Sequence, residues 1–591
     1  MVAELLERYG ETLRDAAWWW AFAAVAATIV TRPGVRQRLA ALPPRAWTIV
    51  AVAIAILAVV WAWHLRWISD DAFISFRYSR NWARGDGLVF NLGERVEGYT
   101  NFGWTALLAV PALLGLDIPA CALALDLAAF VGVLWLVQRL AAQLAPAGAP
   151  ARLSFAAVVL ACSYGFASFG TSGLETMPAT LLVLLALDRA LAGRIAAAGC
   201  AGIAATLMHP DHAIFYVALG GVLAARRVSL RQLAWYALPF VVVYVPYYAI
   251  RWAYYGDFFP NTYYAKSGGD AYFSQGAIYL GASGLAAGLW AVLPLAAIGI
   301  VQLRRTLAGS YLAVAVPLYL VYVAKIGGDY MLGRLVCAAL PLLLLAAEHA
   351  VRAWLARGQA WRATAACAVA AVACAPVHLL RPGEIRWYLT DERTFYPVES
   401  MFPLALGGGT PKRVAALEHH LGGVEPPVAY AAWAIGLVGW VLDGPIVDMH
   451  GLVDRELAHQ PLAHRDRPGH ERQASPAYVL AHDVDLSGMN VHPARYTSLT
   501  RVTLDRETFY FVHYRPQLAD AMRGRPGAQF VDFVDYLDRY LAGLADRDCR
   551  DVAADLAFFE SYYFVHVSDP ERRRPFDERR RACARQLAAA R

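Results

Sequence analysis

Lysine is almost missing from this sequence: of 53 basic residues only Lys266, Lys325 and Lys412 are not arginine. Charge of any kind is scarce, at 17% of 591 residues. A soluble protein carries about a quarter. That scarcity excludes a disordered regulator and argues against an ordinary cytosolic enzyme. The net charge of +6 has no basic stripe with interleaved aromatics behind it, so no nucleic acid partner is expected. There is no CxxC or CxxH spacing for zinc, no P-loop, and no GxGxxG followed by an acid. A nucleotide-binding fold is therefore not expected, and there is no clear internal repeat.

What is present is apolar surface. Hydrophobic residues make up 58% of the chain and are concentrated in residues 16–380, whereas 381–591 have the composition of a soluble domain. The pattern predicts a polytopic α-helical membrane protein with a C-terminal α/β soluble domain. Segments able to span are 16–30, 46–64, 119–138, 153–170, 174–191, 195–209, 211–225, 233–250, 276–302, 309–325, 335–350 and 361–380. The first lacks a basic flank and a small-residue cleavage site, and reads as a retained span or surface anchor. Cys121, Cys162, Cys200, Cys337, Cys367 and Cys374 lie in apolar segments and read as small buried hydrophobes. Cys549 and Cys583 stand alone in the soluble part, and are expected to pair if that part lies outside the cytoplasm.

Segment 102–116 decides the topology, because counting it as a span reverses every later loop. Without it, six short loops on one side carry sixteen arginines: Arg32, Arg36, Arg38, Arg45, Arg139, Arg152, Arg189, Arg194, Arg226, Arg227, Arg231, Arg304, Arg305, Arg352, Arg357 and Arg362. The short opposite loops carry only Arg334. The positive-inside rule then makes 102–116 a juxtamembrane helix, gives about twelve spans, and puts the C-terminal domain outside. The polar loops 67–100, 170–176, 208–212, 255–270 and 325–334 are all expected on that outer face.

Convergence of acids, amides and a few cations on one face reads as a site. Asp70 and Asp71 follow a span directly. At a low-dielectric boundary two adjacent carboxylates need not both ionise, so one can act as a base; a helix N-cap is the structural alternative. Glu97, Tyr99, Thr100 and Asn101 offer the directional hydrogen bonds and aromatic face that sugars need. Glu175 at a span edge is costly unless paired or functional. His209-Pro210-Asp211-His212 matches no standard metal spacing, so no metal is expected there. Lys266 and Arg334, with Arg77, are the cations placed to hold a lipid phosphate, though Asp329 is an equally available partner for Arg334.

The run Asp70-Asp71-Ala72-Phe73-Ile74-Ser75-Phe76-Arg77-Tyr78 through Val96-Glu97-Gly98-Tyr99-Thr100-Asn101-Phe102 resembles the terminal arabinofuranosyltransferases of the actinobacterial cell wall. So do the motifs at 172–176, 260–266, 327–331 with Arg334, and 448–454, in the same order over most of 60–480. The chain departs from that pattern at His209-Pro210-Asp211, where Arg-Pro-Asp is expected. The resemblance implies a GT-C membrane glycosyltransferase fold for 1–380, with an active-site outer loop at 65–118. It implies decaprenyl-phosphoryl-arabinose as donor and the non-reducing ends of arabinan, in arabinogalactan or lipoarabinomannan, as acceptor. It also implies a general base at Asp70 or Asp71. Asn261, Tyr264, Asp329, Asp448 and His450 join the expected sugar-binding set. No cofactor is expected, and no closed ligand set for a divalent cation is visible.

In residues 381–591, 427–430 and 445–449 read as strands flanking a small-residue helix, and 509–512 and 562–567 as further strands. This domain is expected to contact the acceptor glycan, and His464, His470 and Glu471, in a Gly/Pro loop, are read as glycan contacts in preference to metal ligands. Three other readings stay open: a GT-C enzyme for another polyprenyl-phosphate sugar, a flippase for a lipid-linked sugar, and a non-enzymatic envelope assembly protein.

Overall fold

The computed structural model describes residues 2–18, 21, 24, 25, 28, 29, 32–147, 153–266, 269–373, 378–396, 411–462 and 464–589. Arg152, Cys374 and most of the first expected span, 16–30, lie outside the described residues or are broken by undescribed ones.

Apolar side chains on the surface decide the character of the N-terminal part. Ile49, Leu57, Val242 and Ile250 are all more than half exposed, on helices with little charge. Water would reject such surfaces, and lipid accepts them. Among the described residues, four helices are long and apolar enough to cross a membrane: Arg45–His64, Ile118–Gln143, Leu230–Tyr255 and Leu307–Ile326. Two bent pairs bring the number to six if each is one broken span. This is fewer than the twelve expected from hydropathy. The expected 276–302 span is two helices, Phe273–Ala286 and Leu289–Leu303, bent by 91°. The expected 153–170 span breaks at Ser163, whose hydroxyl caps the short helix after it. Phe102–Leu113 is a helix of 12 residues. At 1.5 Å per residue it reaches about 18 Å, too short to cross alone, as are the expected spans at Ile195–Met208 and Pro210–Ala225.

The C-terminal part carries a six-stranded mixed sheet. Across it run 446–448, 430–432, 486–487, 507–511, 501–504 and 528–530. The first three are parallel and the rest antiparallel. The expected strands at 427–430, 445–449 and 509–512 are present, shifted by a residue or two. The expected strand at 562–567 is not. Residues Cys549–Phe559 are α-helical and continue as a π turn over Glu560–Phe564. Phe558, Phe559, Tyr562 and Tyr563 recur at helical spacing and pack on Phe533. The unbroken aromatic run imitates a buried strand, and only its packing partner separates the two.

Cys549 and Cys583 are disulfide-bonded and tie that helix to Pro570–Ala589. The bond closes a loop with a sequence separation of 34. Loop-closure entropy assigns such a crosslink about 3–4 kcal/mol. Reduction, or Cys583→Ser, is expected to lower the melting temperature of the C-terminal part; an unchanged melt with and without reductant would refute this.

The two parts are not separate bodies joined by a linker. Ile74, Tyr78, Phe90 and Tyr99 of the first loop belong to the same apolar cluster as Val438, Leu442 and Phe509. Residues near the expected boundary also pack back on the membrane helices: Asp391 accepts from the Tyr164 hydroxyl, and Arg393 donates to the Leu65 carbonyl.

Candidate active site

The helix Asp70–Arg84 starts with two acids, ends with Arg84, and stops at Gly85 in the left-handed region (φ 90°). Both charge preferences suit the helix dipole, and glycine takes that φ without strain. One turn of the C-terminal domain, the helix Gly436–Val441, lies across it.

Asp70 and Arg77 grip the two ends of that short helix. The Asp70 carboxylate accepts the N–H groups of Gly436 (2.9 Å) and Leu437 (2.8 Å) at its start. Arg77, buried, donates to the carbonyls of Gly439 (2.6 Å), Leu442 (3.2 Å) and Gly444 (2.9 Å) at its end, and to Phe90 (2.7 Å). Positions seven apart on a helix are about 10.5 Å apart along its axis, close to the length of the six-residue helix they hold. Glycine is required for the approach: a Cβ on Gly436 would lie 1.8 Å from the Asp70 carbonyl oxygen, and one on Gly439 2.7 Å from Phe90. Arg77 thus spends its donors on backbone. Burial pushes the Asp70 carboxyl up to about 6, although the Leu437 and Gly436 N–H groups pull the other way.

Beside this clasp is a cavity of about 320 Å³. Asp70, Asp71, Glu392, Lys266, Arg467, Tyr330, Trp433, His450 and His470 line it, from both parts of the chain. Asp71 accepts a hydrogen bond from the Tyr330 hydroxyl (3.0 Å). Tyr330 is held in turn by Thr390, which donates its N–H to the Tyr330 carbonyl, and by the Arg467 guanidinium 4.7 Å above its ring. Arg467 Nε is buried with no hydrogen-bond partner among the described residues. The rings of Trp433, His450, His470 and Tyr330 touch in sequence, with centroids 4.7–4.9 Å apart. Burial, then the nearby Arg467, pushes His470 down to about 3, so this wall is uncharged at neutral pH. Burial, then Asp71, pushes Glu392 up to about 8, against the hydrogen bond it accepts from Thr390 (2.9 Å). Glu392 also borders a second, mostly apolar cavity lined by Trp67, Phe166, Phe169, Val336 and Leu340.

Of the residues expected in the site, Asp70, Asp71, Lys266 and His450 line this cavity. The others are placed elsewhere. Arg334 is shared between Glu175 (2.9 Å) and Asp329 (3.3 Å), and Asn101 donates to Glu175 (2.7 Å). Glu97 is ion-paired with Arg251 (2.7 Å). Tyr99 meets the Tyr255 hydroxyl. Asn261 donates to the carbonyls of Gly451 and Leu452. Tyr264 stacks on His459. Asp448 holds its own turn, accepting from the N–H groups of His450 and Val453, and burial pushes it up to about 6. These residues brace the loops that frame the cavity. Sequence reasoning missed Tyr330, Glu392, Trp433 and Arg467 as lining groups, whereas His470, expected to contact glycan, does line the cavity. Tyr330 sat inside a noted motif; the others carry no local signal.

Known proteins resemble half of the chain in sequence. Over 349 residues it is 32% identical to the terminal beta-(1->2)-arabinofuranosyltransferase of Mycobacterium tuberculosis, covering 49% of this chain and 54% of that protein. The protein of the same name from Corynebacterium glutamicum is 30% identical over 351 residues, half of each chain. The chain is similar to terminal beta-(1->2)-arabinofuranosyltransferases. It spans about half the length of these curated relatives. Residues 410–522 match a family described as a domain of unknown function (DUF8728). Among solved structures, ArnT from Cupriavidus metallidurans bound to undecaprenyl phosphate aligns with a TM-score of 0.45 at 14% identity, over 68% of this chain and 86% of that one. An Archaeoglobus fulgidus oligosaccharyltransferase aligns with a TM-score of 0.41 at 11% identity, over 67% and 64%.

Proposed function

We propose that the chain is a GT-C membrane glycosyltransferase that moves arabinofuranose from decaprenyl-phosphoryl-arabinose to the non-reducing ends of cell-wall arabinan, with its site and C-terminal domain on the outer face. The observation that carries this reading is the cavity itself. It gathers Asp71, Lys266 and Arg467 around one space, with an uncharged aromatic wall, beside a second, mostly apolar cavity of about 50 Å³. The curated relatives carry the choice of sugar.

Asp71 takes the proton of the acceptor hydroxyl as that oxygen bonds to the anomeric carbon of the donor. The bond from that carbon to the phosphate oxygen breaks, and the charge goes onto the lipid phosphate. Lys266 and Arg467 hold that charge by charge-assisted hydrogen bonds, the role first expected of Arg77 and Arg334. Trp433 and His450 offer flat surfaces for the acceptor sugar. No nucleotide is required, because the prenyl phosphate is itself the leaving group.

The test is transfer of label from radiolabelled decaprenyl-phosphoryl-arabinose to a short arabinan, in membranes containing the protein. Transfer by wild type supports the reading. Folded protein that transfers nothing from this donor, but does so from another prenyl-phosphate sugar, would keep the class and reject the sugar.

Glu392 gives this reaction an expected pH dependence. Its carboxyl is neutral below about 8 and gains a negative charge above it. That charge would face the departing phosphate, so transfer is expected to fall as pH rises through about 8. In Glu392→Gln, which keeps the neutral shape, the alkaline fall should vanish; an identical pH profile in both proteins would rule Glu392 out.

A further inference from the structure

A second polar cluster lies apart from this cavity, in the turn between the helices Ile195–Met208 and Ala213–Ala225. Pro210 opens a single 3₁₀ turn over Pro210–His212. At three residues per turn, His209 and His212 fall on one side of it. Both rings point Nδ1 at the same Asp211 oxygen, at 2.6 and 2.5 Å. The other Asp211 oxygen accepts from the Tyr319 hydroxyl at 3.0 Å. Asp211, His212 and Tyr319 are all buried, and His212 Nε2 has no hydrogen-bond partner among the described residues. A cavity of about 20 Å³ opens among them, bounded also by Glu175 and Arg334. That is room for about one water.

Arg334 is shared by Glu175 and Asp329, and Asp211 is paired with the His209 and His212 rings. Three carboxylates thus meet one guanidinium and two imidazoles, and while the imidazoles are neutral the buried negative charge calls for a cation. Two imidazoles and one carboxylate, with one open position for water, form the donor set that borderline divalent ions take. We propose that His209, Asp211 and His212 bind a zinc-class divalent cation, with a water in the small cavity as the fourth ligand. Metal–ligand bonds of about 2.0–2.2 Å put tetrahedral ligand atoms roughly 3.3 Å apart. The ion therefore opens the two short His–Asp contacts by less than about 1 Å. Tyr319 orients the carboxylate, as partners of metal ligands commonly do. The ion locks the His-Pro-Asp-His turn to the helix Leu307–Ile326 and balances the charge next to Glu175. Nothing in this depends on the transfer reaction.

The experiment strips the full-length protein with a chelator in detergent, reloads it with Zn²⁺, desalts it, and measures zinc per chain. About one ion per folded wild-type chain is expected, lost in the double variant His209→Gln, His212→Gln. The surface cluster of His419, His420 and Asp505 is the control, and His419→Gln should keep the ion. A folded wild type that retains no zinc overturns the proposal, and so does a loss that follows His419→Gln alone. If the double variant does not fold, Co²⁺ replaces Zn²⁺ and the visible spectrum of wild type is compared with that of His212→Gln. A changed d–d band supports the site; an unchanged one overturns it.

Discussion

Asp71→Asn is expected to lower sugar transfer by roughly 10²–10⁴-fold, the usual contribution of a positioned general base. The melting temperature should stay close to wild type, because Asp71 keeps a hydrogen-bond acceptor for Tyr330 as Asn. Asp70→Asn should behave differently. Both Asp70 oxygens accept N–H groups at the start of the Gly436–Val441 helix, and an amide can replace only one of them. That loss resembles removing an N-cap, about 1 kcal/mol of stability. Its effect on transfer comes through the position of the C-terminal domain. Measuring transfer and melting on both variants separates the roles. If Asp71→Asn kept full activity while a stably folded Asp70→Asn were inactive, the base would be Asp70.

Arg77→Met should cost at least about 3 kcal/mol and lower the yield of folded protein. Hydrogen bonds to a charged group are worth about 1.5–3 kcal/mol each, and this substitution leaves four buried carbonyls without their donor. A phosphate-binding role predicts the opposite pattern, with unchanged melting and weaker use of the donor. Thermal melting in detergent decides between them. Arg77→Lys offers no rescue in the clasp reading, since one ammonium cannot reach four carbonyls in a planar fork.

The acid pair, the loop cations Lys266 and Arg334 and the aromatic-rich motifs are legible in the sequence, because each sits in a short run whose composition is unusual. Several of those motif residues brace the site instead of lining it. Glu175, Asn101, Asp329 and Arg334 satisfy one another, and Asn261 ties the Gly451 turn. A polar residue near a membrane needs a partner whether or not it touches substrate, so sequence alone does not separate bracing from binding.

By itself, the sequence determined the split between an apolar helical part and a more polar α/β part, and the two cysteines outside the apolar segments that pair. Hydropathy, charge and helix length are local sums, readable in a window of twenty residues. Tertiary structure decided the rest: which acid of the pair is spent on a helix N-terminus, that Arg77 is a clasp, and that Glu392, Trp433, Arg467 and His470 complete the cavity. Asp70 and Gly436 are 366 residues apart, and Asp71 and Tyr330 are 259 apart. Such partners are chosen by the packing of whole elements, and no spacing along the chain encodes them.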